Sequence, residues 1–423
     1  VLGDGTVSPM PTTPDVPPPP APRGIFHSDP LLDAQAMRAA GLASDAAVLG
    51  EVMATTARIT DTDADTWFRE WSATGEVAAQ RAQAALAAGD QESARQASWS
   101  AATYHRTAGL MLLQPPIDDR LKQANQRQTE LFRRGADLLT QPPEIVEIPY
   151  EETAQPGYFF RVDDDSRPRA TVIITGGYDG TAEELYCFYG AAALARGYNA
   201  LMFDGPGQGA ALIQQGLTMR PDWENVITPV VDFLAARGDV DATRVALIGG
   251  SLGGYLAPRA ASAEQRLAAC VADCGAFDLY EAFLSRLPDP VRSQFEAGDA
   301  KTRSEVGEML KQVMAQPTAG WALRRGLLVH GVPDALALVD ATRGFTLKGA
   351  ADKITCPTFV CNAEGDSISA SAPELVAALT CPHEFVTFTA AEGAGQHCEQ
   401  AAHPLFQARV FGWLDPALKP REL

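Results

Sequence analysis

The pattern of apolar and polar residues changes character near Pro143. Between residues 31 and 140 the apolar positions recur at helical spacing. Aspartates precede two of these helical runs, at Asp63 and Asp90, and Gly89 follows the first of them. Acidic N-caps and glycine stops are typical of helix boundaries. The pattern therefore predicts antiparallel helices joined by short links.

Beyond Pro143 the periodicity is that of strands. Residues 144–150 and 158–162 alternate between apolar and polar, as antiparallel strands do. Later apolar runs are separated by helical stretches, which is typical of parallel strands with helices on both faces. The later strands are predicted at residues 170–175, 199–203, 245–248, 268–272, 356–361 and 384–388, and the helices between and after them include 182–195, 223–236, 373–379 and 399–414. The order predicts an α/β fold with a mostly parallel, doubly wound sheet.

Three segments follow from this pattern. Residues 1–30 are a Pro-rich arm with four consecutive prolines, which excludes helix and central strand and leaves either disorder or an extended strap. Residues 31–142 form an N-terminal helical lid segment, and residues 143–423 form the sheet domain. A helical stretch over about 278–349 interrupts the sheet pattern, and we interpret it as a cap insertion.

A Gly-x-Ser-x-Gly turn centred on Ser251 follows the apolar run that ends at Ile248, and a helical run comes next. A serine at such an apex occupies strained backbone that lifts its hydroxyl above the sheet. Gly249 and Gly253 have no Cβ, so the strand and the helix can approach each other around it. The arrangement predicts that Ser251 is a nucleophile.

A serine nucleophile needs an imidazole base and a carboxylate that orients the base. In sheets of this kind the three groups occur in the chain order Ser, Asp or Glu, His, each just past the end of a strand. Asp366 and His397 follow the last two predicted strands in that order. Glu364 is the alternative acid, but it lies closer to the strand end and has less loop to carry it across. The predicted catalytic residues are therefore Ser251, Asp366 and His397.

The negative charge that develops on a substrate oxygen needs hydrogen-bond donors. The backbone N–H of Leu252, the residue after the nucleophile, is one predicted donor. The second is expected from the glycine loop after the strand at 170–175, with the Tyr178 N–H preferred and Gly177 as the alternative.

Three further residues are candidates for contact with substrate. Asp179 lies beside the glycine loop, and its alternative role is to cap the helix that follows. Tyr104 and His105 lie in the helical segment, where packing between helices is the alternative role for both.

Composition excludes several classes of function. Of 423 residues, 46% are hydrophobic and 21% charged, and 34 basic against 53 acidic residues give a formal net charge of −19. So acidic a chain argues against nucleic acid and anionic membrane surfaces as partners. The sequence shows no transmembrane run. The Gly-rich residues 204–209 lack the Lys-Ser/Thr of a phosphate loop, so we interpret them as a turn beside the active site and predict no cofactor.

The seven cysteines lie between Cys187 and Cys398 without Cys-x-x-Cys spacing. We interpret them as reduced thiols, mainly small buried hydrophobes, of a cytoplasmic protein without a metal site. The visible N-terminus lacks a signal-peptide pattern, and a leader removed before Val1 is left open. The expected partner is a small-molecule substrate, and a homodimer is compatible with these features.

Several motifs together resemble the α/β-hydrolases, in the branch with 2,6-dihydroxypseudooxynicotine hydrolase, the fermentation/respiration-switch-like hydrolases and fungal polyketide-shortening pigment hydrolases. The motifs are residues 67–71 (WFREW), 101–108 (AATYHRTA), 176–177 (GG), 203–209 (FDGPGQG), 249–255 (GGSLGGY) and 395–398 (GQHC). The resemblance implies that the N-terminal helices fold over the sheet as part of a lid, and that some members cleave a carbon–carbon bond beside a ketone. In some relatives an apolar residue and Glu follow the two glycines, whereas this chain has Tyr178-Asp179.

The expected function is that of a cofactor-independent serine hydrolase. Its expected substrate is a small to medium acyl, aryl or polyketide-like ester or ketone. Two alternatives stay open, namely a lyase or cyclase that uses the same pocket without an acyl-enzyme, and a binding protein on a hydrolase scaffold.

Overall fold

An eight-stranded sheet with the order β1-β2-β4-β3-β5-β6-β7-β8 runs through the protein. The computed structural model describes residues 24–42 and 45–418. The strands are β1 (Glu144–Tyr150), β2 (Thr153–Phe160), β3 (Arg169–Thr175), β4 (Asn199–Phe203), β5 (Val240–Gly249), β6 (Ala269–Asp273), β7 (Thr358–Ala363) and β8 (His383–Phe388). From β4 through β8 all neighbours pair in parallel, whereas β2 pairs antiparallel with both β1 and β4. The predicted mostly parallel sheet is confirmed.

Helices cover the sheet on both faces and extend beyond it at the N-terminus and in the insertion. They are α1 (Pro30–Ala40), α2 (Leu49–Thr56), α3 (Ala64–Ala87), α4 (Gln91–Gly109), α5 (Asp119–Ala136), α6 (Ala182–Leu185), α7 (Ala191–Leu194), α8 (Gly209–Ile213), α9 (Glu224–Ala235), α10 (Gly253–Ala261), α11 (Leu279–Leu284), α12 (Asp289–Glu296), α13 (Ala300–Met314), α14 (Trp321–His330), α15 (Ala335–Ala341), α16 (Ala372–Ala378) and α17 (His403–Leu418). The Pro-rich arm lies largely outside the described residues, the first of which is Gly24.

Two predicted helices differ from the structure. The helix expected over 182–195 is divided into α6 and α7 by a π-helical turn over Tyr186–Gly190. The last helix was expected from Glu399 but begins at His403, because Cys398 and Glu399 have positive φ angles of 51° and 45°, which do not continue a right-handed helix.

The N-terminal helices pack through buried tryptophans. The indole nitrogen of Trp67 on α3 donates to the carbonyl of Thr107 on α4 at 2.7 Å, and Trp99 on α4 donates to Phe132 on α5 at 3.1 Å. These rings satisfy their one polar atom while burying a large apolar area. The three helices therefore form one packed layer, whose core is continuous with that of the sheet.

The insertion between β6 and β7 contains α11 to α15 and has a small core of its own around Leu284, Phe295 and Val339. It also contacts the N-terminal layer, since the indole nitrogen of Trp321 on α14 donates to the carbonyl of Leu110 at 3.0 Å. The cap and the N-terminal helices are thereby joined to each other as well as to the sheet. Within the described ranges, no helix has both the length and the apolar character needed to cross a membrane.

Candidate active site

Ser251 occupies a sharp turn between β5 and α10 and has a positive φ of 63°. Non-glycine residues avoid this region of backbone space. The flanking glycines make the turn sterically feasible, because a Cβ on Gly249 would lie 1.9 Å from the carbonyl oxygen of Gly253, and one on Gly253 would lie 2.8 Å from that of Thr175. The predicted strand, turn and helix around Ser251 are all present.

The structure brings Ser251, His397 and Asp366 into one hydrogen-bonded series. His397 Nε2 lies 2.9 Å from Ser251 Oγ, and His397 Nδ1 lies 2.8 Å from Asp366 Oδ2. A carboxylate can only accept, so neutral His397 carries its proton on Nδ1 and presents Nε2 to the serine hydroxyl. Burial raises the pKa of Asp366, but the hydrogen bond and charge of His397 outweigh it and hold this pKa below its ordinary value.

Glu364, the alternative acid, has a different partner. Its carboxylate accepts from the backbone N–H of Ala390 at 2.8 Å. It therefore fastens the loop after β8 to the loop after β7, while Asp366 contacts His397.

The glycine loop after β3 lies directly against the serine turn. A Cβ on Gly177 would lie 2.7 Å from the backbone nitrogen of Leu252 and 2.9 Å from Ser251 Oγ. Leu252 is the residue before α10, so its N–H has no acceptor within the helix. The predicted oxyanion donors at Leu252, Gly177 and Tyr178 thus lie at the same end of the sheet as Ser251.

The glycine-rich residues 204–209 support this loop from behind. The side-chain nitrogen of Gln208 donates to the carbonyl of Gly176 at 2.8 Å. The carboxylate of Asp204 accepts from the backbone N–H of Ala182 at 2.8 Å and from that of Ala210 at 2.7 Å. The predicted position of this segment beside the active site agrees with the structure, whereas nothing in the sequence indicates the contact of Gln208 with the loop.

Asp179 lies at the centre of a buried ion cluster with three arginines. Its carboxylate accepts from Arg38 of α1 at 2.9 Å and from Arg325 of α14, and Arg106 of α4 donates to its backbone carbonyl at 2.9 Å. Burial raises the pKa of Asp179, but Arg325, Arg38 and Arg106 together hold it far below its usual range. The alternative role as a helix cap is wrong, because Thr181 caps α6. The predicted substrate contact instead has its carboxylate committed to arginines.

Tyr104 lies within the helical layer and is fully buried. Its hydroxyl donates to Glu51 at 2.9 Å and accepts from the backbone N–H of Val48 at 2.8 Å. Packing against Trp71 and these two bonds favour the alternative role of Tyr104 in helix packing, and its contact with substrate stays a prediction.

His105 lines a small, partly open cavity of about 30 Å³ beside the glycine loop. Its Nε2 atom lies 3.1 Å from Glu76, and burial lowers its pKa. The other walls of this cavity are formed mainly by apolar side chains of α5, α8 and the end of α4, with Arg106, Asn125, Gln128, Tyr178, Asp179 and Thr181 as polar neighbours. His105 thus faces a partly open space next to the candidate oxyanion loop.

The side chain of Tyr178 connects the glycine loop to the cap. Its hydroxyl lies 2.7 Å from Nε2 of His330, the last residue of α14. Burial lowers the pKa of His330 to about 4, so the ring is neutral near pH 7. In the sequence His330 is recognisable only as a residue of the insertion, and no motif indicates this contact.

Two thiols lie against the imidazole of His397. Cys274 Sγ lies 3.3 Å from Nδ1 and donates to Asp366 Oδ2 at 3.3 Å, and Cys398 Sγ lies 3.6 Å from Nε2. Cys274 is buried as interpreted, but both thiols also contact the imidazole of His397, which a role as buried hydrophobes does not include. Their positions in the sequence could have indicated a place at the active site, because Cys274 directly follows β6 and Cys398 directly follows His397.

The thiols also shift the charge balance of the site. Cys274 and His397 lower the pKa of the Cys398 thiol to about 5, against the opposing effect of burial. Burial lowers the pKa of His397, but Cys398 and Asp366 outweigh it and hold this pKa well above its ordinary value. Cys398 and His397 therefore shift each other's pKa in opposite directions, so that each favours the charged form of the other beside Ser251.

Two groups of side chains bring metal-type donor atoms within 4.8 Å of one another. In the group of Cys274, His397 and Cys398, both ring nitrogens are already paired with Asp366 and Ser251. In the other, burial raises the pKa values of Asp273 and Glu399 well above the ordinary range, which favours neutral carboxyls over ligands for a cation, and Cys361 is the third member. Both groups are better explained by proton sharing than by metal binding.

Comparison with known proteins shows the same architecture elsewhere. The family described as "Esterase FrsA-like" matches residues 48–285, and the one described as "Alpha/beta hydrolase family" matches residues 171–409. The chain is 33% identical to "Hydrolase acrC" of Aspergillus aculeatus over 427 residues, which cover 93% of this chain and 96% of that protein. It is 35% identical to "20-hydroxy-prefusarin hydrolase FUS2" of Gibberella moniliformis over 390 residues, 87% of this chain and 92% of that protein.

Among solved structures, the crystal structure of 2,6-dihydroxy-pseudo-oxynicotine hydrolase matches with a TM-score of 0.69 and 23% identity, over 89% of this chain and 95% of that one. The predicted α/β-hydrolase fold is confirmed by these matches.

Proposed function

This chain belongs to the α/β-hydrolase family and matches its FrsA-like esterases, and we propose that it is a serine hydrolase in which Ser251 attacks a substrate carbonyl. The observation that carries the proposal is the pair of short contacts at His397, 2.9 Å to Ser251 and 2.8 Å to Asp366. Distances of this size are those of a nucleophile, its base and the group that orients the base.

The reaction follows from these contacts. Neutral His397 accepts the Ser251 proton on Nε2 as Oγ bonds to the carbonyl carbon, and Asp366 stabilises the imidazolium that forms. The N–H groups of Leu252 and Tyr178, with Gly177 as the alternative, hold the negative oxygen of the tetrahedral intermediate. His397 then returns the proton to the leaving group, and a water molecule, deprotonated by the same ring, releases the acyl group from Ser251.

For the substrate we propose a small to medium acyl, aryl or polyketide-like ester or ketone. The N-terminal helices and the cap meet above the candidate oxyanion loop through Asp179, which pairs with Arg38 of α1 and Arg325 of α14. A covered site admits a compact molecule and excludes a polypeptide, whose chain must run through an open groove. The relative FUS2 is named a 20-hydroxy-prefusarin hydrolase, which also supports a small-molecule substrate.

Labelling with a fluorophosphonate probe tests the nucleophile. Wild-type protein should label stoichiometrically, and Ser251→Ala should neither label nor turn over aryl esters, with a loss of about 10⁴–10⁶-fold in kcat. Ser262→Ala is a matched control, because Ser262 ends the same helix and donates only to the carbonyl of Arg259. Retention of more than a few per cent of the rate in a folded Ser251→Ala protein contradicts an acyl-enzyme and leaves the lyase, cyclase and binding-protein alternatives.

Substrate size tests the covered site. We expect measurable hydrolysis of small aryl esters, higher kcat/KM for an ester or ketone on a ring system, and negligible cleavage of casein. Removal of residues 1–140 should abolish turnover of the ring substrate, because it exposes the apolar core that the helical layer shares with the sheet. Rapid cleavage of casein by the intact protein contradicts the proposed substrate class.

A further inference from the structure

Cys274 and Cys398 lie 124 residues apart in the chain but face each other beside His397. Their Sγ atoms are 3.5 Å apart. Disulfide-bonded sulfurs are about 2.0 Å apart, so a bond requires an approach of ~1.5 Å. All seven cysteines are free thiols in this structure, so the pair stands in its reduced form.

The backbone holds both thiols in place at some cost. Cys274 has a φ of 83° and Cys398 a φ of 51°. Non-glycine residues in this region persist where the surroundings over-determine them, and such strain is concentrated at functional sites. Here the strained segments are the turn after β6 and the residue that follows His397, and together they direct two thiols at one imidazole.

Cys398 differs in reactivity from the other cysteines and also from its neighbour Cys274, because burial raises the pKa of the Cys274 thiol well above its ordinary value. Cys398 is partly exposed and the His397 side chain beside it is 31% exposed, so a small oxidant can reach them from the active-site side. The pKa of Cys398 is lowered to about 5, whereas burial raises the pKa values of Cys187, Cys270 and Cys361. A thiolate is the reactive form of cysteine.

We propose that Cys274 and Cys398 form a reversible disulfide when a hydroperoxide enters the active site, and that this bond switches off Ser251. The Cys398 thiolate attacks the O–O bond, the O–O bond breaks, and the products are Cys398 sulfenic acid and, after protonation, an alcohol. The Cys274 sulfur then displaces the hydroxyl of the sulfenic acid, and its proton leaves with that hydroxyl as water. In total, two thiols and one hydroperoxide become one disulfide, one alcohol and one water, and a dithiol reverses the change.

The bond alters the catalytic contacts directly. It removes the S–H that donates to Asp366 and replaces the thiolate that faces the imidazole. It also draws the backbone of Cys398, adjacent to His397, towards Cys274. A displacement of about 1 Å in a catalytic group costs on the order of 100-fold in rate, so turnover should fall by about that factor. This loss of turnover rests on the proposed function, whereas formation of the disulfide does not.

The experiment treats the purified full chain with hydrogen peroxide near pH 7, alkylates the free thiols and maps the peptides by mass spectrometry. We expect a peptide pair linked through Cys274 and Cys398 in wild type and in Cys187→Ser. Cys187 is the matched control, because it is partly exposed but donates its thiol to the carbonyl of Glu183. Cys274→Ser and Cys398→Ser should give no such pair, and dithiothreitol should remove it from wild type together with the loss of fluorophosphonate labelling.

The outcomes distinguish formation of the disulfide, its effect on activity and the proposed function of Ser251. If the linked peptide is absent while Cys398 is alkylated or oxidised to sulfinic acid, or if Cys398 links to Cys361 instead, the disulfide is wrong. If the linked form labels as fast as the reduced form, the disulfide exists but does not switch the enzyme. If untreated protein has no labelling at Ser251, the proposed function fails, and the peptide map still decides the disulfide.

Discussion

The side-chain nitrogen of Gln208 donates to the carbonyl oxygen of Gly176 at 2.8 Å, and this bond fixes the back of the loop that faces Ser251. The same side chain is held at its other end, because its oxygen accepts from the backbone N–H of Gly205 at 3.1 Å. Gln208 is fully within the protein, so the loop has a rigid support rather than solvent behind it. We infer that the Gln208 amide positions the oxyanion loop without touching substrate.

Gln208→Ala should therefore lower kcat more than it raises KM. Without the amide, the carbonyl of Gly176 loses its buried donor and the loop can shift away from the serine turn. We expect a loss of about 10-fold or more in kcat, below the ~10²–10³-fold that removal of an oxyanion donor itself costs. Steady-state kinetics on an aryl ester measure the effect. Gln214→Ala is the control, since the side chain of Gln214 bonds Asn125 and Lys122 of α5 rather than the carbonyl of Gly176, and an equal loss there contradicts the positioning role.

Asp366→Asn should lower kcat by about 10⁴-fold with the fold intact, because an amide no longer fixes the His397 tautomer. Glu364→Gln should change kcat by only a few-fold, since Glu364 accepts a backbone bond from Ala390. Each substitution replaces one carboxylate oxygen by an amide nitrogen, and the two positions lie two residues apart, so each variant is the control for the other. The reverse order of effects would move the acid to Glu364.

The parts of the fold that the sequence predicts well are those set by local periodicity. Strands β1 and β4 begin and end at the predicted residues, because their apolar spacing is regular and turn residues bound them. Strand β2 begins five residues before the predicted start, at Thr153, since Pro156 and Gly157 break the alternation while the backbone still pairs with β1. The alternation of apolar and polar side chains does not reveal strand residues that pair only through backbone hydrogen bonds.

The candidate catalytic residues were predictable for a related reason. Ser251, Asp366 and His397 each follow a strand, and parallel strands end at one edge, so chain order alone brings them near each other. The ion cluster at Asp179 was not predictable, because its partners Arg38 and Arg325 are 141 and 146 residues away and no repeat or spacing links them. Contacts of this kind depend on how three separate helical units pack.

The rate of ester hydrolysis should rise with pH through the pKa of His397, because the neutral ring is the base. Cys398 and Asp366 hold this pKa above its ordinary value, and Cys274 and Asp273 are the other titratable groups at the ring. Cys398→Ser removes a negative charge that stabilises the imidazolium. The pKa should then fall, and the acidic limb of kcat/KM should move to lower pH.

The kcat/KM profile between about pH 5 and pH 9 measures this shift, since it reports the pKa values of the free enzyme. Cys187→Ser is the control, because this thiol lies in the π-helical turn away from His397. An acidic limb that stays in place or moves to higher pH in Cys398→Ser contradicts the assignment of thiolate and imidazolium to this pair.

Asp179→Asn should destabilise the protein strongly. The carboxylate is 7% exposed and balances Arg38, Arg325 and Arg106, whose side chains are 14%, 14% and 6% exposed. Glu184 still pairs with Arg38 and Arg106 in the variant, but Arg325 loses its acidic partner. Removal of one partner of a buried ion pair leaves the other charge uncompensated and costs about 3–5 kcal/mol. Burial and the neighbouring Arg38 already lower the pKa of Arg106 to about 10, which indicates that positive charge is in excess here. Urea unfolding measures the change in free energy.

The same variant separates a structural role of Asp179 from the predicted contact with substrate. Glu281→Gln is the matched control for charge removal, because Glu281 pairs with Arg292 on the cap and both are about one-third exposed, so its loss should cost at most about 1 kcal/mol. If Asp179 only joins the helical layer to the cap, the loss of stability should appear without a specific rise in KM at temperatures where the variant is folded. If Asp179→Asn unfolds at the wild-type urea concentration but binds substrate far more weakly, the carboxylate serves the substrate rather than the arginines. The cluster geometry favours the first result, since every polar contact that Asp179 makes joins it to an arginine of a different helix.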